Sequence, residues 1–292
     1  MKKKYIVLSL IVATVFSACT EKQYMEFSPI DDSVYTLVMT DFKALAFSDT
    51  TYLWNEGDAI GVYGSECGYN ERYVIKSAGV GKSQAFFYGP AVKGKIAAYY
   101  PYNPSYIADA DAMYFTLGTE QVYEEDPVEL YSRYKDIAFA NMDENGTMDF
   151  YYPNALLGIT FEFPEAVTVT DLKVESKTTG LSGMGFIHPD GTTTAAESAK
   201  KYVSLDCGQE GISTVADGQS LTTFYLVIMP GIYDDLKVII NIKEKDFPIM
   251  WNLPKVELKK ANASDFQALT VNFKPGSGPA GFDEITVPVF DK

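Results

Sequence analysis

Short stretches in which apolar and polar residues alternate one by one recur about every 8–12 residues along this chain, with Gly, Pro, Asn and Asp between them. Alternate residues of a strand face opposite sides, so each stretch has one apolar face that must be buried against another sheet. Many short strands at this spacing predict an all-β sandwich architecture. Strands are expected near Arg72–Ser77, Gln84–Tyr88, Lys95–Tyr100, Met113–Leu117, Ile137–Met142 and Met148–Tyr152. Farther on, "ALLGITFEF" puts Leu157, Ile159, Phe161 and Phe163 on one face, and "DLKVIINI" does the same with Leu236, Val238, Ile240 and Ile242. The content of 21 Tyr and 18 Phe favours strands in the same way. Pro127–Tyr134 is the one convincing helix in the first half.

"WNEGDAIGVY" (54–63) joins an aromatic anchor, a turn and a strand. Gly57 can take positive φ, and Asn55 and Asp58 can bond their own backbone, so Asn55–Asp58 predicts a turn. Ile60 and Val62 then face one side of a strand, and Ala59, Gly61 and Tyr63 the other. Trp54, just ahead of the turn, is expected to cover one end of the core.

The chain opens with Lys2-Lys3-Lys4 and an apolar run over Tyr5–Phe16, a secretory signal too short to span a bilayer comfortably. It ends in Phe16-Ser17-Ala18-Cys19, where small residues before a cysteine resemble a bacterial lipobox, although Phe16 is an atypical first residue for one. Cleavage between Ala18 and Cys19 would leave an acylated Cys19. Acyl chains anchor at about 0.8 kcal/mol per buried CH₂. Losing the three lysines takes the net charge from −15 to −18, which repels nucleic acid and anionic headgroups. The expected membrane link is therefore the lipid, not the protein surface.

Motifs that could carry chemistry read more simply as turns. "GVGKS" (79–83) has Lys76 where a phosphate-binding loop needs its first glycine, and a strand follows instead of a helix. Asn141, Asp143, Asn145 and Gly146 fit the first half of a calcium loop, but the twelfth position is Tyr152, and Asn145-Gly146 between two strands predicts a two-residue hairpin turn. His188, the single histidine, has no second base or ligand to work with. Asp31-Asp32 and Glu124-Glu125-Asp126 are neighbours that point apart on a strand, a solvated acidic surface. No enzyme chemistry, cofactor or metal set is legible. Cys207 alternates with Val203 and Leu205 as a small buried hydrophobe; a Cys67–Cys207 disulfide remains open at this level. Asp32-Ser33-Val34 and Asp49-Thr50-Thr51 resemble short bacterial O-glycosylation sequons.

Phe47, Trp54, Gly57-Asp58 and Ile60–Tyr63, followed in order by "AAYYPY" (97–102), "LLGITFEF" (156–163), "MPG" with "DLKVIINI", and "LTVNF" (269–273), resemble the fimbrillin-like (Mfa-like, type V pilin) lipoproteins. The resemblance implies two tandem transthyretin-like β-sandwich domains with few short helices. The expected division is a signal peptide over 1–18, a lipid-anchored segment with a removable strand over 19–43, sandwiches over 44–164 and 165–275, and a linker with a candidate donor strand over 276–292. It also implies a trypsin-like protease that removes the N-terminal strand after a basic residue, opening a groove for the C-terminal strand of a neighbouring pilin subunit. Adhesion to a host or bacterial surface would be the output.

The two ends suit that scheme. "VYTLVM" (34–39) is apolar on both faces, and Lys43 stands in the matching cleavage position, although arginine is usual there and the chain's arginines are Arg72 and Arg133. That departure leaves either a different protease or an uncleaved anchor or tip subunit. At the other end, "KPGSGPAG" (274–281) is a linker ahead of Ile285, Val287 and Val289, which share one face. A simpler alternative makes both ends edge strands of their own domains. A rival function is glycan binding by exposed Tyr99, Tyr100 and Tyr102, which would need open, coplanar rings.

Overall fold

The computed structural model describes residues 35–42, 53–108, 112–161, 166–188, 190–214, 222–253, 255–258, 269–275 and 282–286. The chain is all-β, as its alternation predicts, with one α-helix among the described residues. Strands are numbered in chain order. A seven-stranded sheet holds β1 (Tyr35–Phe42), β2 (Ala59–Gly64), β3 (Glu71–Ile75), β4 (Ala85–Pro90), β5 (Ile96–Tyr100), β8 (Ala138–Asn141) and β9 (Thr147–Phe150), in the order β8-β5-β2-β3-β4-β1-β9. Its two outer strands then meet, because Phe139 pairs with Tyr151 and Met142 with Met148, so the sheet curls round into a closed wall.

The remaining strands cover this body. One sheet holds β6 (Met113–Leu117), β12 (Gly183–Ile187) and β13 (Thr193–Ala195). A second runs β19-β18-β11-β14-β7, made of β7 (Glu120–Val122), β11 (Thr168–Glu175), β14 (Tyr202–Asp206), β18 (Lys237–Ile242) and β19 (Ile249–Asn252), with β15 (Ile212–Ser213) beside β11. A third runs β16-β10-β21-β22, from β10 (Ala155–Phe161), β16 (Thr222–Ile228), β21 (Leu269–Pro275) and β22 (Phe282–Thr286). β17 (Gly231–Tyr233) pairs with β20 (Val256–Leu258). Four pairings cross the boundary expected at position 164: β6 with β12, β7 with β14, β10 with β16, and β10 with β21. Buried apolar side chains from Val38 to Leu258 form one continuous core.

Local chemistry explains the elements. The helix α1 (Pro127–Tyr134) has the ends expected of it: Asp126 caps it by accepting from the Val128 N–H at 2.8 Å, and Pro127 opens it with φ already set. The expected turn at Asn55–Asp58 forms, with Gly57 at φ +87° and the Asp58 carboxylate accepting from the Asn55 N–H at 2.7 Å. In the strand after it both faces are covered, with Ile60 and Val62 on one and Ala59, Gly61 and Tyr63 on the other all buried. Gly61 is why the second face closes: a Cβ there would lie 2.0 Å from the Tyr99 ring, so the aromatic occupies the space a side chain would need.

"GVGKS" falls in the loop between β3 and β4, which pair as a hairpin. The loop at Asn145-Gly146 is longer than the expected two-residue turn. Gly146 N–H bonds to Asp143 O at 3.1 Å, Asp143 N–H to Thr147 O at 2.9 Å, and Gly146 sits at φ +78°, a three-residue connection. The Asp143 carboxylate accepts from the Asn145 and Thr147 amides, so it serves the turn. Cys207 is a buried free thiol, and the Cys67–Cys207 link is not formed.

On the far edge of the β10 sheet, Gln121 of β7 lies 1% exposed. Its amide donates to Val227 O at 2.6 Å and accepts from Val227 N–H at 2.9 Å. One side chain thus supplies both bonds that a neighbouring strand would give β16 at this residue.

Candidate functional site

β1 is the first strand among the described residues, and it sits inside the closed sheet, not at an edge. It pairs antiparallel with β4 over six residues, from Tyr35 opposite Pro90 to Thr40 opposite Ala85. On its other side it pairs parallel with β9 over four, from Met39 opposite Thr147 to Phe42 opposite Phe150. Removing it would leave two facing rows of unpaired backbone groups on β4 and β9.

The side chains follow the pleat. Val38 and Thr40 are buried and Met39 is 37% exposed. Directly opposite on β4, Phe87 and Ala85 are buried while Phe86 is 44% exposed. From β9, Met148 and Phe150 face inward, both fully buried. Thr40 is the polar member of this apolar channel, and its hydroxyl donates to Ala85 O at 3.1 Å.

Trp54 lies beneath β1. It is fully buried, its indole N–H donates to Ser83 O at 2.8 Å, and its backbone is held by bonds with Lys82 and Gly81. The ring meets Phe87 edge-on at 4.8 Å between centroids, Tyr100 at 5.1 Å and Phe150 at 5.7 Å. Two of those rings belong to the two strands that flank β1. The anchor role expected of Trp54 holds, and its position at the groove floor was not visible from spacing alone.

Of the residues singled out from the sequence, Ala18, Cys19, Lys43, Val287 and Val289 lie outside the described residues. Ile285 lies on β22, opposite Phe273 of β21 in an antiparallel pair. β22 ends its sheet among the described residues, with Asn272 opposite Thr286 and Lys274 opposite Glu284.

The tyrosine cluster proposed for glycan stacking is not an open platform. Tyr99 is fully buried; its hydroxyl donates to Asn70 Oδ1 at 2.7 Å and accepts from Asn103 N–H at 3.1 Å, and burial pushes it up to about 12. Tyr100 turns its ring to Trp54 and its hydroxyl to Asp58 Oδ1 at 2.9 Å. Tyr102 is half-buried under the Arg72 guanidinium. His188 shares a 2.9 Å bond with Thr194. Among the described residues, no three His, Cys, Asp or Glu side chains converge to hold a metal ion, and no helix is long and apolar enough to cross a membrane.

No protein-family model matches the chain, and no curated protein sequence matches it. Among solved structures it resembles a candidate cell adhesion protein from Bacteroides ovatus, with a TM-score of 0.50 and 13% identity over 88% of this chain and 96% of that one. It also aligns with a fimbrial protein from Bacteroides vulgatus, TM-score 0.48 and 17% identity over 87% and 99%, and with candidate polysaccharide-binding proteins from Bacteroides thetaiotaomicron, TM-score 0.47 and 9% identity over 88% and 98%. At these identities the likeness to the first is one of fold, and it agrees with the fimbrillin-like resemblance in the sequence.

Proposed function

We propose that this chain is the lipid-anchored precursor of a fimbrial subunit, which assembles when a protease cuts after Lys43 and β1 leaves its place between β4 and β9. The observation that carries the reading is the position of β1, the N-terminal strand of the described residues yet an inner strand of its sheet. While attached, it fills the groove with the advantage of being intramolecular. Once it departs, a C-terminal strand from a second subunit, led by Ile285, Val287 and Val289, takes the channel lined by Phe87, Ala85, Met148 and Phe150. Pro288 lacks an N–H and so limits the registers in which the donor fits.

In this reading β22 is stored on β21 until exchange, and its four residue pairs there compete with the groove. We take the receiving unit as β1–β5 with β8 and β9; β6, β7 and β10 pair with strands that follow position 164. Cys19, acylated after cleavage behind Ala18, ties the precursor to the outer membrane. Other pilin subunits are the assembly partners, and adhesion at the cell surface is the output. The fold likeness to a candidate adhesion protein supports this reading over ligand binding, and so does the burial of Tyr99.

The test is to treat the purified full-length precursor with trypsin under native conditions and run the product unboiled. A ladder of multimers is expected from the wild type and only monomer from Val287→Asp. A ladder of equal strength from Val287→Asp would remove the donor strand from the reading. Separately, palmitate labelling of expressing cells should mark the protein and be lost in Cys19→Ala; label that persists would remove the anchor.

A further inference from the structure

We infer that Trp54 is the positioning residue of the acceptor groove: it holds β4 and β9 at the spacing a strand needs during the interval when no strand lies between them. The inference rests on the reading that β1 leaves.

Neighbouring strands stand about 4.8 Å apart, so the walls of a one-strand gap must stay roughly 9–10 Å apart to be refilled. β4 is secured from behind by its pairing with β3, at Val74 opposite Tyr88 and Ile75 opposite Phe87. β9 is less well held. Its one pairing with another named strand is to β1, and behind it lie the bridges Phe139–Tyr151 and Met142–Met148 at its two ends. When β1 goes, β9 keeps those bridges and its inward side chains, of which Phe150 rests on Trp54 at 5.7 Å.

The same indole holds the opposite wall at Phe87, 4.8 Å away, and is itself fixed by its N–H bond to Ser83 O and by Tyr100 behind it. Both ring contacts are edge-on, so each flanking phenyl meets the indole at a steep angle and loses contact if the wall tilts. Trp54 therefore spans the groove from below with a rigid plane. A shorter aliphatic side chain would fill part of the volume but could not touch both walls together. Collapse of β9 toward β4 would then close the gap before a donor arrives.

The test uses the full chain nicked once after Lys43 by a lysine-specific protease, with β1 left seated. A fluorescent peptide of residues 34–42 is added, and its uptake is followed by anisotropy in wild type, Trp54→Phe and Trp54→Leu. Wild type should take it up, Trp54→Phe should retain most of the affinity, and Trp54→Leu should lose about tenfold or more. The uncut Trp54→Leu chain, whose β1 still braces both walls, should keep its native circular dichroism. If uncut Trp54→Leu fails to fold, Phe150→Leu, which removes one wall contact, decides by the same measure. Uptake by the folded leucine variant equal to wild type overturns the inference. A second peptide, residues 282–292, separates the two ideas: if wild type takes up 34–42 and refuses 282–292, the donor-strand reading fails while the role of Trp54 stands.

Discussion

Phe139 and Tyr151 exchange two backbone hydrogen bonds, of 2.8 and 3.0 Å, and through that pair the last strand of the seven-stranded sheet is fastened to the first. The short loop between β8 and β9 sets up this closure, and Gly146 at φ +78° is its hinge of conformation. Nothing lies within 4 Å of a Cβ added at Gly146, so a substitution there acts through backbone strain alone. Gly146→Ala should therefore destabilise by about 1–2 kcal/mol in chemical denaturation. A neutral result would mean that the loop is free to adopt another turn.

The pleat of β1 supplies a sharper comparison. Val38 is buried and Met39, one residue on, is 37% exposed. Val38→Asp should lower stability by roughly 3 kcal/mol or more, because an unpaired carboxylate enters the core, whereas Met39→Asp should fall within about 0.5 kcal/mol of wild type. Equal effects of the two substitutions would contradict the inward and outward faces assigned here.

Truncating the groove floor is the largest single change considered. Trp54→Ala removes a fully buried indole and its bond to Ser83 O, and it should cost about 3–5 kcal/mol by denaturant titration. A loss below about 1 kcal/mol would show that the neighbouring rings refill the space.

Asp235 ties the turn before β18 to the segment after β11. Burial pushes its carboxyl up, but bonds from the Ser176 hydroxyl, the Thr178 hydroxyl and the Lys177 and Thr178 amides outweigh that and hold it below the usual carboxylate range. A carboxyl depressed on folding contributes stability above its unfolded value of about 3.9, and the contribution disappears as pH falls through the folded value. Asp235→Ala should thus be less stable than wild type at pH 7, with the gap narrowing at pH 3. A gap that stays constant between those pH values would mean that the carboxylate is not the group responsible.

Cys207 is buried on β14's outgoing end, and burial pushes its thiol up to about 12, with Asp171 and Asp206 adding to the effect. Because the thiolate is the reactive form, Cys207 should resist alkylation at pH 8 in the native protein and react only after denaturation. Mass spectrometry of iodoacetamide-treated protein reads this directly; rapid native labelling would place the thiol at the surface.

Elements with strong local chemistry were legible in the sequence, and elements defined by distant partners were not. The helix over Pro127–Tyr134 matches its expected span because Asp126 and Pro127 fix its start. The face of "DLKVIINI" is as expected, with Leu236, Val238, Ile240 and Ile242 all buried. β7, by contrast, is three residues long and pairs with β14 some eighty residues later, too short for a period to register. The parallel contact between β1 and β9 was equally hidden, since nothing near Met39 specifies Thr147. At the site, the apolar nature of the N-terminal strand was readable; the convergence of Trp54, Phe87 and Phe150 beneath it was not, because their meeting depends on the sheet curling shut.

The Gln121 amide bonded to Val227 has a consequence for how such molecules stack. A sheet with two open margins can recruit copies at both sides and grow without limit, which is the geometry of a cross-β fibre. Here one margin is met at its middle by a side chain, and among the described residues β22 forms the other. Two copies meeting margin to margin through β22 would each present a sealed side outward, so accretion through this sheet stops at a pair.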